Sequence, residues 1–364
     1  MDAATFLCCV EAIKSGDAAI QEDAANQIAA LNDPLMLPQI QHYVSDASPL
    51  VRRVMLWTLR NYTSQIEYSS LLSCLRDPDM AVREAALVLF MEGGSASTCA
   101  LVDAVSSTDD SLRFSAVEAL GQFRTAEAVL PLIAAAVSEN PDIREVAVLS
   151  LGVYADARVI PPLIAALNDA PEIRLAALEG LKTRPLSSVD AGKVSGCLSD
   201  ADPAIRAAAV AVLGEHAPDS CADDESSAVR RTAAQVIASP EILGKLCGDA
   251  EPSVRMAAAE SVGKRKYALE DVLLPLLSDE VPGVRRAAVT GLAFSQRPDV
   301  VSALIGCLSD PKPGVQAAAA TALGEIGGDE VIAALSASSQ SGNAILRGIM
   351  KNALSAAMKK SSSE

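Results

Sequence analysis

Asp200-Ala-Asp-Pro-Ala-Ile-Arg-Ala-Ala-Ala-Val-Ala-Val-Leu-Gly214 is one copy of a pattern that recurs along almost the whole chain. Its centre is an arginine preceded by valine, isoleucine or leucine. The anchor stands at Arg52, Arg83, Arg113, Arg144, Arg174, Arg206, Arg230, Arg255, Arg285 and Arg347, with Gln21 and Gln316 in the same slot of two further copies. Successive anchors lie 31, 31, 30, 31, 30, 32, 24, 25, 30, 31 and 31 residues apart. A period of this length marks a stacked repeat protein, in which each unit buries its apolar face only against its neighbours.

The columns around the anchor identify the unit. Apolar residues stand one before it (Val51, Ile143, Ile205, Val284), three after (Ala86, Ala147, Ala209, Ala288) and seven after (Leu59, Leu151, Leu213, Leu292). Positions −1, +3 and +7 share one side of a 3.6-residue helix. Proline at −3, as in Pro49, Pro171, Pro203 and Pro313, suits a first helical turn, where its missing N–H costs nothing. A shorter apolar run precedes each such helix, for example 159–167, 272–277 and 301–308. The expected fold is therefore an all-α solenoid of about twelve antiparallel helical hairpins. Gly121, Gly152, Gly214, Gly263 and Gly324 recur at +8 and are expected to end these helices. Aspartate recurs at −6, in Asp46, Asp77, Asp200, Asp224, Asp249, Asp279 and Asp310, just ahead of the helix start, where a carboxylate can cap N–H groups. Arginines at one fixed place per unit can reach a neighbouring unit's carboxylates or carbonyls, so anchor and aspartate together predict a ladder that sets register between repeats.

The copies at 200–214, 310–324 and 141–152 resemble HEAT-like repeats of the phycobilisome-lyase type, and the resemblance extends over about residues 15–355. Across the two short intervals, Ser239-Pro-Glu-Ile-Leu-Gly-Lys-Leu-Cys-Gly-Asp-Ala-Glu-Pro-Ser-Val-Arg255 is similar to the shorter leucine-rich variant repeat. The resemblance implies the fold strongly and function weakly. Its enzyme-like implication is a phycobilin lyase- or chaperone-type subunit handling a tetrapyrrole or its apoprotein, for which no residue can be assigned. A HEAT-like hydroxylase of deoxyhypusine shares the fold but holds iron with several His-Glu pairs. This chain has only Glu215-His216, in reversed order, and an isolated His42. The stretch 217–227 is too polar and short for a normal first helix. It is expected to be a break or hinge dividing 1–216 from 228–358, with a polar tail at 359–364.

Composition narrows the function classes. Half the residues are apolar and 3% aromatic, as alanine-rich stacked helices require, and no apolar run is long enough to span a membrane. The N-terminus lacks the basic start of a signal peptide. Cys74, Cys197, Cys221 and Cys307 share a column with Ala104, Ala135, Ala165 and Leu276, which means packing by a small hydrophobe; Cys8-Cys9 has no second pair at ligand spacing. No metal or cofactor is expected, and unpaired thiols on this scale point to the cytoplasm. Related solenoids include DNA-binding glycosylases. Here the net charge is −16, ten of the 30 Lys and Arg are anchors, and only Lys264-Arg265-Lys266 clusters, which argues against nucleic acid. An acidic surface favours basic or apolar protein partners.

What remains is a binding surface. Positions +1 and +5 lie away from the buried stripe and hold mainly polar residues, among them Glu84, Glu118 and Glu145. Against that background stand Trp57, Val88, Phe114, Leu149 and Leu175, all in repeats two to six; Tyr43, Tyr62 and Tyr68 lie close in sequence to the single tryptophan. Exposed aromatics on a polar surface are what interface hot spots are made of. The expectation is a non-catalytic scaffold, adaptor or assembly factor whose partner, a protein or peptide with basic and apolar groups, docks in an N-terminal concave groove. Trp57 and Phe114 would anchor it, and the glutamates would meet its basic groups. The competing expectation is that these side chains fold inward to complete an irregular core. Oligomeric state is left open.

Overall fold

The structure is a computed structural model and describes residues 1–338 and 344–361, all in helices, turns and loops with no strand. It divides into two compact units, Met1–Leu181 and Lys182–Glu364. Each unit is a stack of six helical hairpins. The second helices of the twelve repeats are α1 (Ala18–Ala29), α2 (Pro49–Leu59), α3 (Met80–Glu92), α4 (Asp110–Phe123), α5 (Pro141–Gly152) and α6 (Pro171–Leu181) in the first unit. The second unit continues with α7 (Pro203–Leu213), α8 (Ser227–Val236), α9 (Pro252–Arg265), α10 (Pro282–Leu292), α11 (Pro313–Ile326) and α12 (Ala344–Ser361). The first helices are shorter, and several are partly or wholly 3-10, such as Tyr68–Arg76 and Leu274–Ser278.

Burial follows the repeat columns. All twelve +3 residues are buried, and at +7 only Leu354 is partly exposed. At −1 the exceptions are Ile20, which is exposed, and Leu112, which is half-buried. A further column was not read from the sequence. Position +4 is fully buried at Leu56, Val117, Val148, Leu178, Val210, Ala234, Ala259, Val289 and Ala320, and half-buried at Leu87. Cys74, Cys197, Cys221 and Cys307 are buried as well. Burial pushes the Cys74 thiol up to about 11, with Asp77 adding to the effect.

The +8 glycines do not end their helices as expected. Gly121, Gly263 and Gly324 lie inside α4, α9 and α11, and Gly152 is the last residue of α5. A Cβ on Gly263 would stand 2.8 Å from Gly291 Cα, and one on Gly180 would stand 2.9 Å from Gly152 Cα. The +8 position of one repeat therefore meets the +6 position of the next at backbone contact distance, which only glycine or another small residue allows. Gly214 alone behaves as a terminator, with φ +58° and open space around it.

The stretch 217–227 lies inside the second unit. It replaces a first helix with a short 3-10 turn, Asp219–Asp223, in which Cys221 and Ala222 are buried. Lys359 and Lys360, expected to begin a polar tail, continue α12 instead, while 362–364 lie outside the described residues.

Candidate protein-binding surface

The anchor side chain performs two tasks. Its Nη1 donates to loop carbonyls of its own repeat: Arg52 to Asp46 O at 2.8 Å, Arg144 to Ser138 O at 2.9 Å, Arg255 to Asp249 O at 2.8 Å. Gln316 does the same to Asp310 O at 2.6 Å, and Gln21 bonds Ser15 O, so the glutamine copies keep this half of the role. The Nε–Nη2 edge then grips a carboxylate of the next repeat with two bonds. The pairs are Arg52–Asp77, Arg144–Asp169, Arg206–Asp224, Arg230–Asp249, Arg255–Asp279 and Arg285–Asp310, at 2.7–3.0 Å. The unusual stretch at 217–227 is part of this ladder: its Asp224 pairs with Arg206, and its Asp224 and Glu225 carbonyls accept from Arg230. Bidentate pairing fixes orientation as well as distance.

The −6 aspartates do not cap their helices. Each accepts the N–H two residues on, as Asp77 from Asp79 at 2.9 Å and Asp279 from Val281 at 2.8 Å, forming an Asx-turn. The caps stand at −4, where Asp79, Asp109, Asn140 and Asp202 accept from the first helical turn. Asp169 escaped the sequence reading because it sits one place nearer its anchor. Arg230 holds the Asp249 carboxyl below the usual aspartate range; at Asp77 burial pushes the other way, and the bonds from Arg52 and the Asp79 N–H more than offset it. Asp46, with only Gln21 before it, is paired with Lys14 at 3.0 Å. Arg113 reaches the Ser138 hydroxyl at 2.8 Å and its own Asp110, and Arg174 donates to Asp169 O at 2.7 Å.

The +1/+5 face comes together only in part. Trp57, Glu84 and Val88 line one open cleft of about 510 Å³ between α1, α2 and α3, with Arg53 and Asn26 at its rim. Trp57 is 42% exposed, and the Arg60 guanidinium lies 4.5 Å from its ring centroid. Arg60 is held in turn by Glu92, Nε to Oε2 at 2.6 Å, so the indole is braced on one side and open on the other. The inward-folding alternative describes Tyr62 and Tyr68, both buried, with Tyr62 donating to Asp33 O at 3.2 Å and Tyr68 packed against Phe90. Tyr43 is half-buried against Phe6. Phe114 and Glu118 are exposed on α4; Leu149 is exposed and Glu145 half-buried on α5; Leu175 is half-buried on α6. None of these five lines the Trp57 cleft.

Charge is distributed unevenly. The first unit holds 24 acidic and 11 basic residues, a net charge of −13; the second holds 22 and 19, a net charge of −3. Most cations of the first unit are already engaged by carboxylates, as Lys14, Arg52, Arg60, Arg76, Arg113, Arg144 and Arg158 are. The surface field of this unit is therefore set by its carboxylates.

A ladder of paired arginines and aspartates across stacked hairpins defines an α-solenoid repeat protein. A family profile for HEAT repeats matches residues 9–89, 99–182 and 270–355, so the chain belongs to the HEAT repeat proteins. The unmatched internal stretches are 90–98, around the turn after α3, and 183–269, which contains both short intervals. A search of curated proteins finds no match. Among solved structures, importin beta aligns with TM-score 0.63 at 14% identity, over 97% of this chain and 61% of that one. A structure of Kap95p binding to RanGDP aligns with TM-score 0.57 at 14% identity, over 97% and 62%. Kap121p aligns with TM-score 0.52 at 18% identity, over 98% and 46%. At such identities the likeness is one of fold, and this chain spans less than two-thirds of each of those proteins.

No single helix among the described residues is long and apolar enough to cross a membrane; α3 and the helix Gly94–Val105 together would be, but they are bent by 119°.

Proposed function

We propose that the protein is a non-catalytic scaffold, adaptor or assembly factor that binds a basic protein partner on the first unit, with the Trp57 cleft as the docking point. The observation that carries this reading is the braced, half-open indole beside Glu84 in a unit of net charge −13. An aromatic side chain already fixed by neighbours loses little entropy on binding, and tryptophan is enriched among interface hot spots. Phe114, Leu149 and Leu175 would serve as secondary apolar contacts, with Glu118 and Glu145 meeting further basic groups. Kap95p, of like fold, binds RanGDP, which supports the solenoid as a platform for protein contacts. Exposed Cys8 and Cys99 fit a reducing compartment, the cytoplasm. No residue pattern favours the tetrapyrrole-handling alternative.

The test is a photo-crosslinking residue placed at Asn26, on the cleft rim, compared with one at the exposed loop residue Val137. A basic protein crosslinked from position 26 and absent from position 137 is expected. Equal labelling from both positions would overturn the assignment.

A further inference from the structure

The positions 0, +4 and +8 run in one line along each second helix, and this line faces the next repeat. The anchor at 0 reaches that repeat's aspartate, and the glycine at +8 touches its backbone. In the third repeat the line is Arg83, Leu87 and Met91, and three observations say that the next repeat does not cover it. Leu87 is only half-buried, although the +4 residue of the other second helices from α2 to α11 is fully buried. Met91 is 53% exposed. Arg83 makes its two carbonyl bonds, to Asp77 O at 2.7 Å and Pro78 O at 3.2 Å, but no carboxylate among the described residues reaches its Nε–Nη2 edge, because Ser107 stands where the aspartate would be.

The cause is a displaced hairpin. Gly93 and Gly94 (φ +59°) bend the chain straight from α3 into Gly94–Val105, without the usual loop between repeats. The α4 helix then packs on the 3-10 helix Tyr68–Arg76, with Arg76 bridging to Asp109 at 2.5 Å, and α3 and α4 scarcely touch. Every other neighbouring pair of second helices within a unit packs together. Leu112, the half-buried −1 residue of α4, is the other side of the same mismatch.

We infer that this uncovered line of α3 is a docking site for a helix of another polypeptide that carries an aspartate in the turn before its first residue. The chain itself shows what such a surface takes: at six joints the same arginine edge holds an aspartate, in five of them (all but Asp169) within an Asx-turn, followed by a helix laid along the +4 and +8 positions. Arg83 supplies the charge complement for that carboxylate, and Leu87 and Met91 supply the apolar track. The site is separate from the Trp57 cleft and does not depend on it.

The probe is a hydrocarbon-stapled helical peptide copying residues 309–326, whose Asp310 natively occupies the Arg285 edge. Titration into the full chain is expected to show saturable binding, weakened about tenfold or more by Asp310→Asn in the peptide or Arg83→Gln in the protein, as loss of a charge-assisted pair implies. Leu87→Glu, a change at a partly exposed position, should abolish binding while the circular dichroism spectrum and melting temperature stay unchanged, and Trp57→Ala should leave binding intact. No binding up to about 1 mM, or binding indifferent to both Arg83→Gln and Leu87→Glu, would overturn the proposal. A dimer in sedimentation that Leu87→Glu dissociates would overturn it too, in favour of a second copy of the chain as occupant.

Discussion

Six of the anchor arginines fasten two loops at once, that of their own repeat through carbonyls and that of the next through a carboxylate. The six full pairs are mostly shielded from solvent, so removing one partner leaves a poorly solvated charge. Asp279→Ala should lower stability by about 2–4 kcal/mol, since it strands Arg255 and removes the Asx-turn. Lys14→Ala, at a more exposed pair, should cost under about 1 kcal/mol. Denaturant melts of the two variants give the comparison. The same pairs set an acid limit. Asp169, Asp224, Asp249 and Asp310 are lowered chiefly by their arginines, and Asp77 and Asp279 are lowered by theirs against the opposing effect of burial. A depressed folded pKa means that the unfolded chain takes up protons first. The stabilisation is therefore complete above the ordinary aspartate value of about 3.9 and is lost as pH falls through it toward the folded values. Melting temperature should change little between about pH 5 and 7 and drop below about pH 4, less steeply in an Asp249→Asn/Asp279→Asn variant.

At the scale of the helix, the repeat columns were legible because burial on a 3.6-residue period leaves a direct trace in hydrophobicity: −1, +3 and +7 read off the sequence are the core. Contacts between helices leave no such trace. The +8 glycines look like terminators in a single helix, and only the neighbouring repeat reveals that Gly263 lies against Gly291. Trp57 could be found because a tryptophan at an outward position is chemically conspicuous, whereas its brace, Arg60 and Glu92, comes from two different repeats. The interruption after α3 was carried by signals too slight to weigh alone, a serine at 107 in an aspartate column and a Gly-Gly pair. Gly263→Ala should cost about 1–3 kcal/mol through overpacking. Gly196→Ala, in open space with helical φ, should be neutral or stabilise by up to about 1 kcal/mol. Thermal melts that ranked the two alike would contradict the close-approach account.

Across the whole molecule, two units of equal repeat number differ in charge by ten, and the more acidic one carries both the braced tryptophan and the uncovered face of α3. Screening by salt acts on such a field directly, so partner affinity should fall as ionic strength rises, mainly through slower association. The most direct measurement is the affinity of the captured partner for wild-type protein and for Trp57→Ala, at about 0.1 M and 0.5 M salt, with the melting temperature of both proteins recorded. The account predicts a basic partner bound about thirtyfold more weakly by Trp57→Ala, weakened further by salt, with the melting temperature unchanged. Undiminished affinity in Trp57→Ala, or a lowered melting temperature that explains the loss, would contradict it.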